Sequence, residues 1–325
     1  MIKKKKKTLF IISLIIGILI SYFVYSNIDL LLLVQYLVMV ISYKFFPYFF
    51  VTFLIHIILT YKWDIILRSM DYKIAFYKLF FYRIIGCAIS YITPSAHIGG
   101  EPIKAFLLKK HGVGFSKGLS SVIIDKSIEM VFNLFFGIIG LVILIFNYAV
   151  PVKSIIVIYS LVIALVFFVI FYYRMSKGFG FFTPILRKLR LKYKYLIHIY
   201  EFEKNVSDFF KFHKKAFYKL LIISLLWWVL MFLEYTLLLN LLRIHINFIN
   251  VFLVIIAVAV AYTMPLPAAL GVLELFQIPV FKFIKLNAAY AVVVSIIIRS
   301  KDLIWTVIGL LLLSYYGIKI KYFEK

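Results

Sequence analysis

Long apolar runs constrain this chain more than any other feature. Eight of them, near 8–25, 45–66, 74–92, 117–146, 154–173, 220–242, 248–264 and 286–316, reach or approach the roughly 20 residues that carry a helix across a bilayer. Of the 325 residues, 65% are hydrophobic and only 15% charged. A soluble domain carries about 25% charged residues and needs polar cover for its surface. The pattern therefore predicts an all-α, polytopic integral membrane helical bundle and excludes a soluble enzyme. Five lysines, Lys3 to Lys7, precede the apolar stretch Thr8–Val24, as in a signal peptide. No small-x-small cleavage pattern follows, so the expectation is a retained first helix.

Charge sets the expected orientation. Lys plus Arg number 37 against 13 acidic residues, a net charge of +24. In a membrane chain this excess reads as positive-inside bias and attraction to anionic headgroups, not as nucleic-acid binding. Residues 28–42 would make only about 22 Å of helix at 1.5 Å per residue. If they do not cross, 29 basic residues fall on the cytoplasmic side, in 3–7, 62–83, 104–117, 174–219 and 319–325. The five on the outside are Lys44, Lys153, Arg243, Lys282 and Lys285. Both termini are then cytoplasmic, in a multi-pass protein of the cell membrane. Segment 174–217, with eleven basic and three acidic residues, reads as one or two amphipathic helices on the inner leaflet. The whole chain, 1–325, reads as one transmembrane domain with repeat halves near 74–146 and 248–316.

Two apolar stretches contain helix-breaking residues. The first runs Tyr91-Ile-Thr-Pro94-Ser-Ala-His97-Ile-Gly99-Gly100-Glu101-Pro102-Ile-Lys104. The second runs Tyr262-Thr-Met-Pro265-Leu-Pro267-Ala-Ala-Leu-Gly271-Val-Leu-Glu274. Proline and glycine free backbone polar groups, which at membrane depth survive only inside protein or beside a wet cavity. Each stretch is thus expected to be a re-entrant hairpin tip. A shift of 173 residues places Pro94 on Pro267, Glu101 on Glu274, Lys126 on Arg299 and Glu129 on Asp302. Matches of rare charges at one offset predict an internal repeat. The flanking charges predict that one hairpin opens to the cytoplasm and the other outward, as in inverted-repeat transporters.

Lys126 with Glu129, and Arg299 with Asp302, lie three apart on one helix face, so each pair can neutralise itself. That offsets a cost of about 2.5–3.5 kcal/mol for a lone midplane charge. Asp125 and Lys301 lie beside these pairs, and Glu234 is expected to pair with a repeat cation. The candidate substrate-binding residues are Pro94, His97, Gly99, Gly100, Glu101, Lys104, Lys126, Glu129, Pro267, Gly271, Glu274, Arg299 and Asp302. No catalytic residue is assigned. The six histidines have no ligand spacing, and Walker and GxSxG patterns are absent, so no metal and no cofactor are expected. With a single cysteine, Cys87, no intrachain disulfide can form.

The order Pro94…Gly99-Gly100-Glu101…Lys104, then Asp125-Lys126-x-x-Glu129, then Pro265-x-Pro267…Gly271-x-x-Glu274 and Arg299 resembles the lysylphosphatidylglycerol synthase/flippase transmembrane family, a flippase-like integral membrane domain. Two departures are Ala268-Ala269, where the family usually shows a glycine pair, and His97, where a basic or small residue is common. The resemblance implies a domain that moves or handles anionic, aminoacylated or polyprenyl-linked lipids. Full-length synthases of the family add a cytosolic aminoacyl-transfer domain, and this sequence is expected to lack room for it. The first functional expectation is a lipid flippase or scramblase-like transporter, with membrane phospholipids and a lipid-synthesising enzyme as partners. The alternatives are a lipid-modifying transferase (a phosphatidylglycerol lysyltransferase or a lipid-linked glycosyltransferase) and an accessory scaffold to one.

Overall fold

The computed structural model describes residues 11–20, 22, 34–35, 45–96, 98–148, 154–178 and 193–316. Segment 28–42 apart from Val34 and Gln35, the lysines at the start, residues 179–192 of the basic segment, His97 and both termini lie outside the described residues. Every regular element among the described residues is helical. In chain order these are α1 (Ile11–Ile20), α2 (Phe45–Ser69), α3 (Phe76–Ile92), α4 (Glu101–Leu108), α5 (Phe115–Tyr148), α6 (Ser154–Ser176), α7 (Tyr193–Phe212), α8 (Lys214–Leu241), α9 (Phe248–Tyr262), α10 (Val272–Phe283) and α11 (Ala288–Tyr315). Short 3₁₀ turns, Lys109–His111 and Pro267–Ala269, follow α4 and α9. α2 and α8 have 25 and 28 residues and α5 has 34, and all three are long and apolar enough to cross a membrane. α11 is as long as α8 but carries Arg299, Lys301 and Asp302 at its middle.

Local chemistry fixes where the helices start and stop. Asn247 and Asn287 accept from the backbone N–H of Asn250 (2.9 Å) and Ala289 (2.8 Å), capping α9 and α11. α2, α8 and α10 end at Asp71, Arg243 and Lys285, each with a left-handed φ (67°, 56° and 62°). The next N–H then reaches back five residues: Tyr72 to Leu67, Ile244 to Leu239 and Leu286 to Phe281 (2.9, 3.0 and 2.8 Å). These are Schellman closures.

Offsets near 173 residues recur in the backbone. α2, α3, α4 and α5 start at residues 45, 76, 101 and 115, and α8, α9, α10 and α11 at 214, 248, 272 and 288, offsets of 169, 172, 171 and 173. The left-handed residues follow the same register. Asp71 corresponds to Arg243, Ala96 to Ala269 and Gly112 to Lys285, at offsets of 172, 173 and 173. α6 and α7 lie between the two sets.

The chain forms two compact units. The first comprises residues 1–55, 83–100 and 229–325, and the second 56–82 and 101–228. In the first, α9 packs on α10 and α10 on α11. Gly309 of α11 lies so close to α3 that an added Cβ would sit 2.7 Å from the Ile84 carbonyl. Trp305 stacks with Phe49 and Phe53 of α2, at centroid distances of 5.6 and 6.4 Å. In the second unit, α5, α6 and α7 pack on one another. α7 is amphipathic, as the basic segment predicts, but its apolar face is covered by protein: Val206, Phe209 and Phe210 join a core with Ile124, Ile128 and Phe171.

The first break is held by contact and hydrogen bonding. The Gly100 N–H donates to Ser90 Oγ (2.9 Å), and a Cβ on Gly100 would lie 1.8 Å from the Gly86 carbonyl oxygen. Gly112 has open space around it and only a left-handed φ of 75°. Gly100→Ala should therefore destabilise the protein by about 3 kcal/mol, the upper part of the usual overpacking range. Gly112→Ala should cost about 1 kcal/mol. Thermal unfolding of the two variants in detergent checks the order, and equal losses would contradict it.

Candidate functional site

The second break is built around one arginine. After α9 ends at Tyr262, Ala268 and Ala269 take left-handed φ values of 51° and 46°, and Gly271 takes 73°. Glycine adopts this region without strain, whereas alanine there costs about 1–2 kcal/mol. This chain makes the turn with alanines at both positions. Arg299 of α11 reaches in from the side. Its Nη1 and Nη2 donate to the two oxygens of Glu274 at 2.6 and 2.7 Å, and Nη2 also donates to the Ala269 carbonyl at 2.9 Å. A planar fork suits this bidentate geometry, and a single guanidinium thereby ties the turn to the first helical turn of α10. Glu274 is fully buried. A charge so placed requires a partner.

This differs from the i,i+3 pairing of Arg299 with Asp302 expected from sequence. The Glu274 carboxylate offers both oxygens in the plane of the guanidinium, and Asp302 instead accepts a hydrogen bond from the Tyr262 hydroxyl. The neighbouring Lys301 donates to Glu234 at 2.7 Å and lies 3.7 Å from Asp302. Thr52 of α2 also donates to Glu234, at 3.3 Å. Four tyrosines, Tyr48, Tyr91, Tyr235 and Tyr262, surround these charges. Pro267 is buried within the 3₁₀ turn, and Gly271 caps α10. In the first break Thr93 Oγ1 lies 2.9 Å from Ser95 Oγ, and the Ile98 N–H donates to the Ser95 carbonyl at 3.0 Å. Pro94 sits between Thr93 and Ser95, and Gly99 packs so tightly that a Cβ would lie 2.0 Å from Thr93 Oγ1.

The remaining candidates lie in the other unit. Lys104 donates to Glu101 at 2.8 Å within α4, both residues buried. Lys126 donates to Glu129 at 3.0 Å within α5, with side chains 18% and 15% exposed. Lys62, counted from the sequence with the cytoplasmic basic residues of 62–83, has a partner that the sequence did not indicate. Lys62 is fully buried in α2 and meets Asp125 of α5 at 2.9 Å. Its position follows from Trp63, whose Nε1 donates to Ser121 one turn earlier on α5 (3.1 Å). Outside the spanning helices, His111 lies 3.0 Å from the Tyr82 hydroxyl through Nε2. Burial, then Lys78 and Lys110, hold its pKa below the ordinary histidine value.

A symmetry of charge joins the two halves. The first helix of each repeat is braced to the last by a buried ion pair, Lys62 with Asp125 and Glu234 with Lys301. The sign is reversed between them. The tyrosines, Thr52 and Lys62 escaped the sequence reading. Tyrosine is abundant at 24 residues, so no single one stands out. Lys62 did carry a signal, since it falls inside an apolar run.

An all-helical membrane protein with two sets of helices in similar register, each interrupted by a left-handed break and braced by buried ion pairs, is the class these features define. The chain belongs to the family described as the lysylphosphatidylglycerol synthase TM region, whose pattern it matches over residues 10–309. A UPF0104 membrane protein of Pyrococcus horikoshii is 25% identical over 262 residues, covering 73% of this chain and 76% of that protein. A UPF0104 membrane protein of Methanothermobacter thermautotrophicus is 28% identical over 132 residues, 39% of each chain. One of Methanocaldococcus jannaschii is 32% identical over 92 residues, 27% of each. No solved structure matches the chain.

Removing one partner of a buried pair leaves the other charge exposed to a low-dielectric interior. Glu274→Gln should cost about 3–5 kcal/mol, because Arg299 stays charged while its partner loses the negative charge and one of two acceptor oxygens. The double variant Glu274→Gln/Arg299→Leu should recover part of that loss. A double-mutant cycle on unfolding in detergent measures the coupling, and additive losses would dismiss the clamp.

Proposed function

We propose that the chain is a flippase or scramblase-like transporter of the cell membrane, with both termini cytoplasmic. Its cargo is an anionic or aminoacylated phospholipid, lysylphosphatidylglycerol among them, or a polyprenyl-linked lipid. The observation that carries this reading is the recurrence of the break. Ala96 and Ala269 occupy the same register, and each break leads into a short helix with a buried carboxylate, Glu101 or Glu274, at its start. In this reading the breaks are re-entrant tips of inverted repeats. Backbone N–H groups released there meet the lipid phosphate, as at helix amino ends. Each unit offers its own cation to a phosphate, Lys126 in one and Arg299 in the other, while Pro94, Gly99, Gly100, Pro267 and Gly271 shape the tips. Glu101 with Lys104 and Glu129 with Lys126 keep the empty path neutral, and the acyl tails remain in lipid. A lipid-synthesising enzyme would supply the cargo.

Purified protein in liposomes should accelerate transbilayer movement of labelled phosphatidylglycerol, lysylphosphatidylglycerol or a polyprenyl phosphate. Lys126→Ala should slow that movement by roughly tenfold, as expected when about 1.4 kcal/mol of headgroup interaction is lost. No movement of any of the three by folded protein would dismiss transport. A mass shift in lipid incubated with an aminoacyl or sugar donor would instead establish a transferase.

A further inference from the structure

The charges gathered beside the second break do not balance. Among the described residues this cluster holds three carboxylates, Glu234, Glu274 and Asp302, and two cations, Arg299 and Lys301. Arg299 is engaged by both oxygens of Glu274, and Lys301 lies closer to Glu234 (2.7 Å) than to Asp302 (3.7 Å). Asp302 receives its hydrogen bond from a neutral phenol, Tyr262. Its side chain is 21% exposed, more than any other charged side chain of the cluster. Arg83 of α3 lies eight residues before Tyr91, about 12 Å along the axis.

Tyr262 of α9 donates to Asp302 and Lys301 lies beside it. Tyr48 of α2, Tyr91 of α3, and Glu234 and Tyr235 of α8 share its electrostatic surroundings. Glu274 of α10 and Arg299 share the same surroundings through Tyr91. A second observation points to a guest in this cluster. The Tyr48 hydroxyl is fully buried near Lys301, Glu234 and Asp302, and it makes no hydrogen bond of ordinary geometry. An unmade hydrogen bond at a buried polar atom costs about 1–3 kcal/mol. A surplus negative charge in the middle of a spanning helix is costly as well. One proton, arriving through water, relieves the second cost by converting the carboxylate to a neutral carboxyl. Water that carries it meets the first.

We propose that Asp302, held by Tyr262, is a proton-binding site, and that its loading and unloading are coupled to lipid movement. This rests on the transport reading above. The empty cluster carries a charge of −1 and the loaded one none, so the two protonation states differ in their attraction for a charged headgroup in the same unit. A proton gradient then biases the direction of movement.

Infrared difference spectra of the purified protein in liposomes, taken between acidic and alkaline buffer, read the site without any lipid assay. The expected result is a protonated-carboxyl C=O band that Asp302→Asn removes and Glu129→Gln leaves in place. Tyr262→Phe, which keeps the carboxyl, should shift the band's frequency because the phenol hydrogen-bonds the same group. No such band in the wild type, or one that survives Asp302→Asn and is unmoved in Tyr262→Phe, overturns the proposal. In the same liposomes, an imposed pH gradient should change the lipid-movement rate of the wild type severalfold and that of Asp302→Asn not at all. A band with a gradient-independent rate overturns the coupling. A band without any lipid movement leaves the proton site standing and removes the transport reading instead.

Discussion

A backbone that leaves helical geometry inside a buried core must find partners within the protein, because apolar side chains offer none. Arg299 answers that requirement at the second break. Its fork satisfies the Ala269 carbonyl and the Glu274 carboxylate together, and Glu274 in turn anchors the start of α10. The strain of two left-handed alanines is contained because the turn is fastened at both ends. At the first break the same requirement is met differently, by the Ser90 hydroxyl on the Gly100 N–H and by direct contact with α3 at Gly86. The halves share a path but not a fastening.

Much of the fold could be read from the sequence because it depends on run length and on breakers. Apolar runs located the long helices, though not α4, α7 or α10, and the 173-residue offset found in charges reappears in left-handed residues whose side chains gave no hint. Asp71 and Arg243 occupy one backbone position with opposite charge, so a comparison of residue types passes over them. What resisted the sequence was pairing. Spacing puts Arg299 and Asp302 on one face, but it cannot show that a carboxylate 25 residues earlier in the chain presents both oxygens in the guanidinium plane. Lys62 was silent for a related reason: a lysine near the end of an apolar run does not disclose its partner on another helix.

The tyrosine environment of Lys301 and Asp302 sets the character of the site. Aromatic rings exclude water while their hydroxyls offer hydrogen bonds, so the charges beside them are shielded without being isolated. The family assignment places the chain among membrane proteins, and the buried ionic cluster marks where such a protein invests polar groups that the bilayer would otherwise select against.

The reversed signs of the two braces bear on how the chain assembles after insertion. Repeated helices risk docking on the wrong copy, since their shapes are alike. If the first helix of one half met the last helix of the other at these positions, Lys62 would face Lys301 and Glu234 would face Asp125. Both encounters are repulsive and far from water. Each half thus carries a key that fits only its own lock, and a duplicated architecture can sort its helices correctly even though its two copies share one backbone plan.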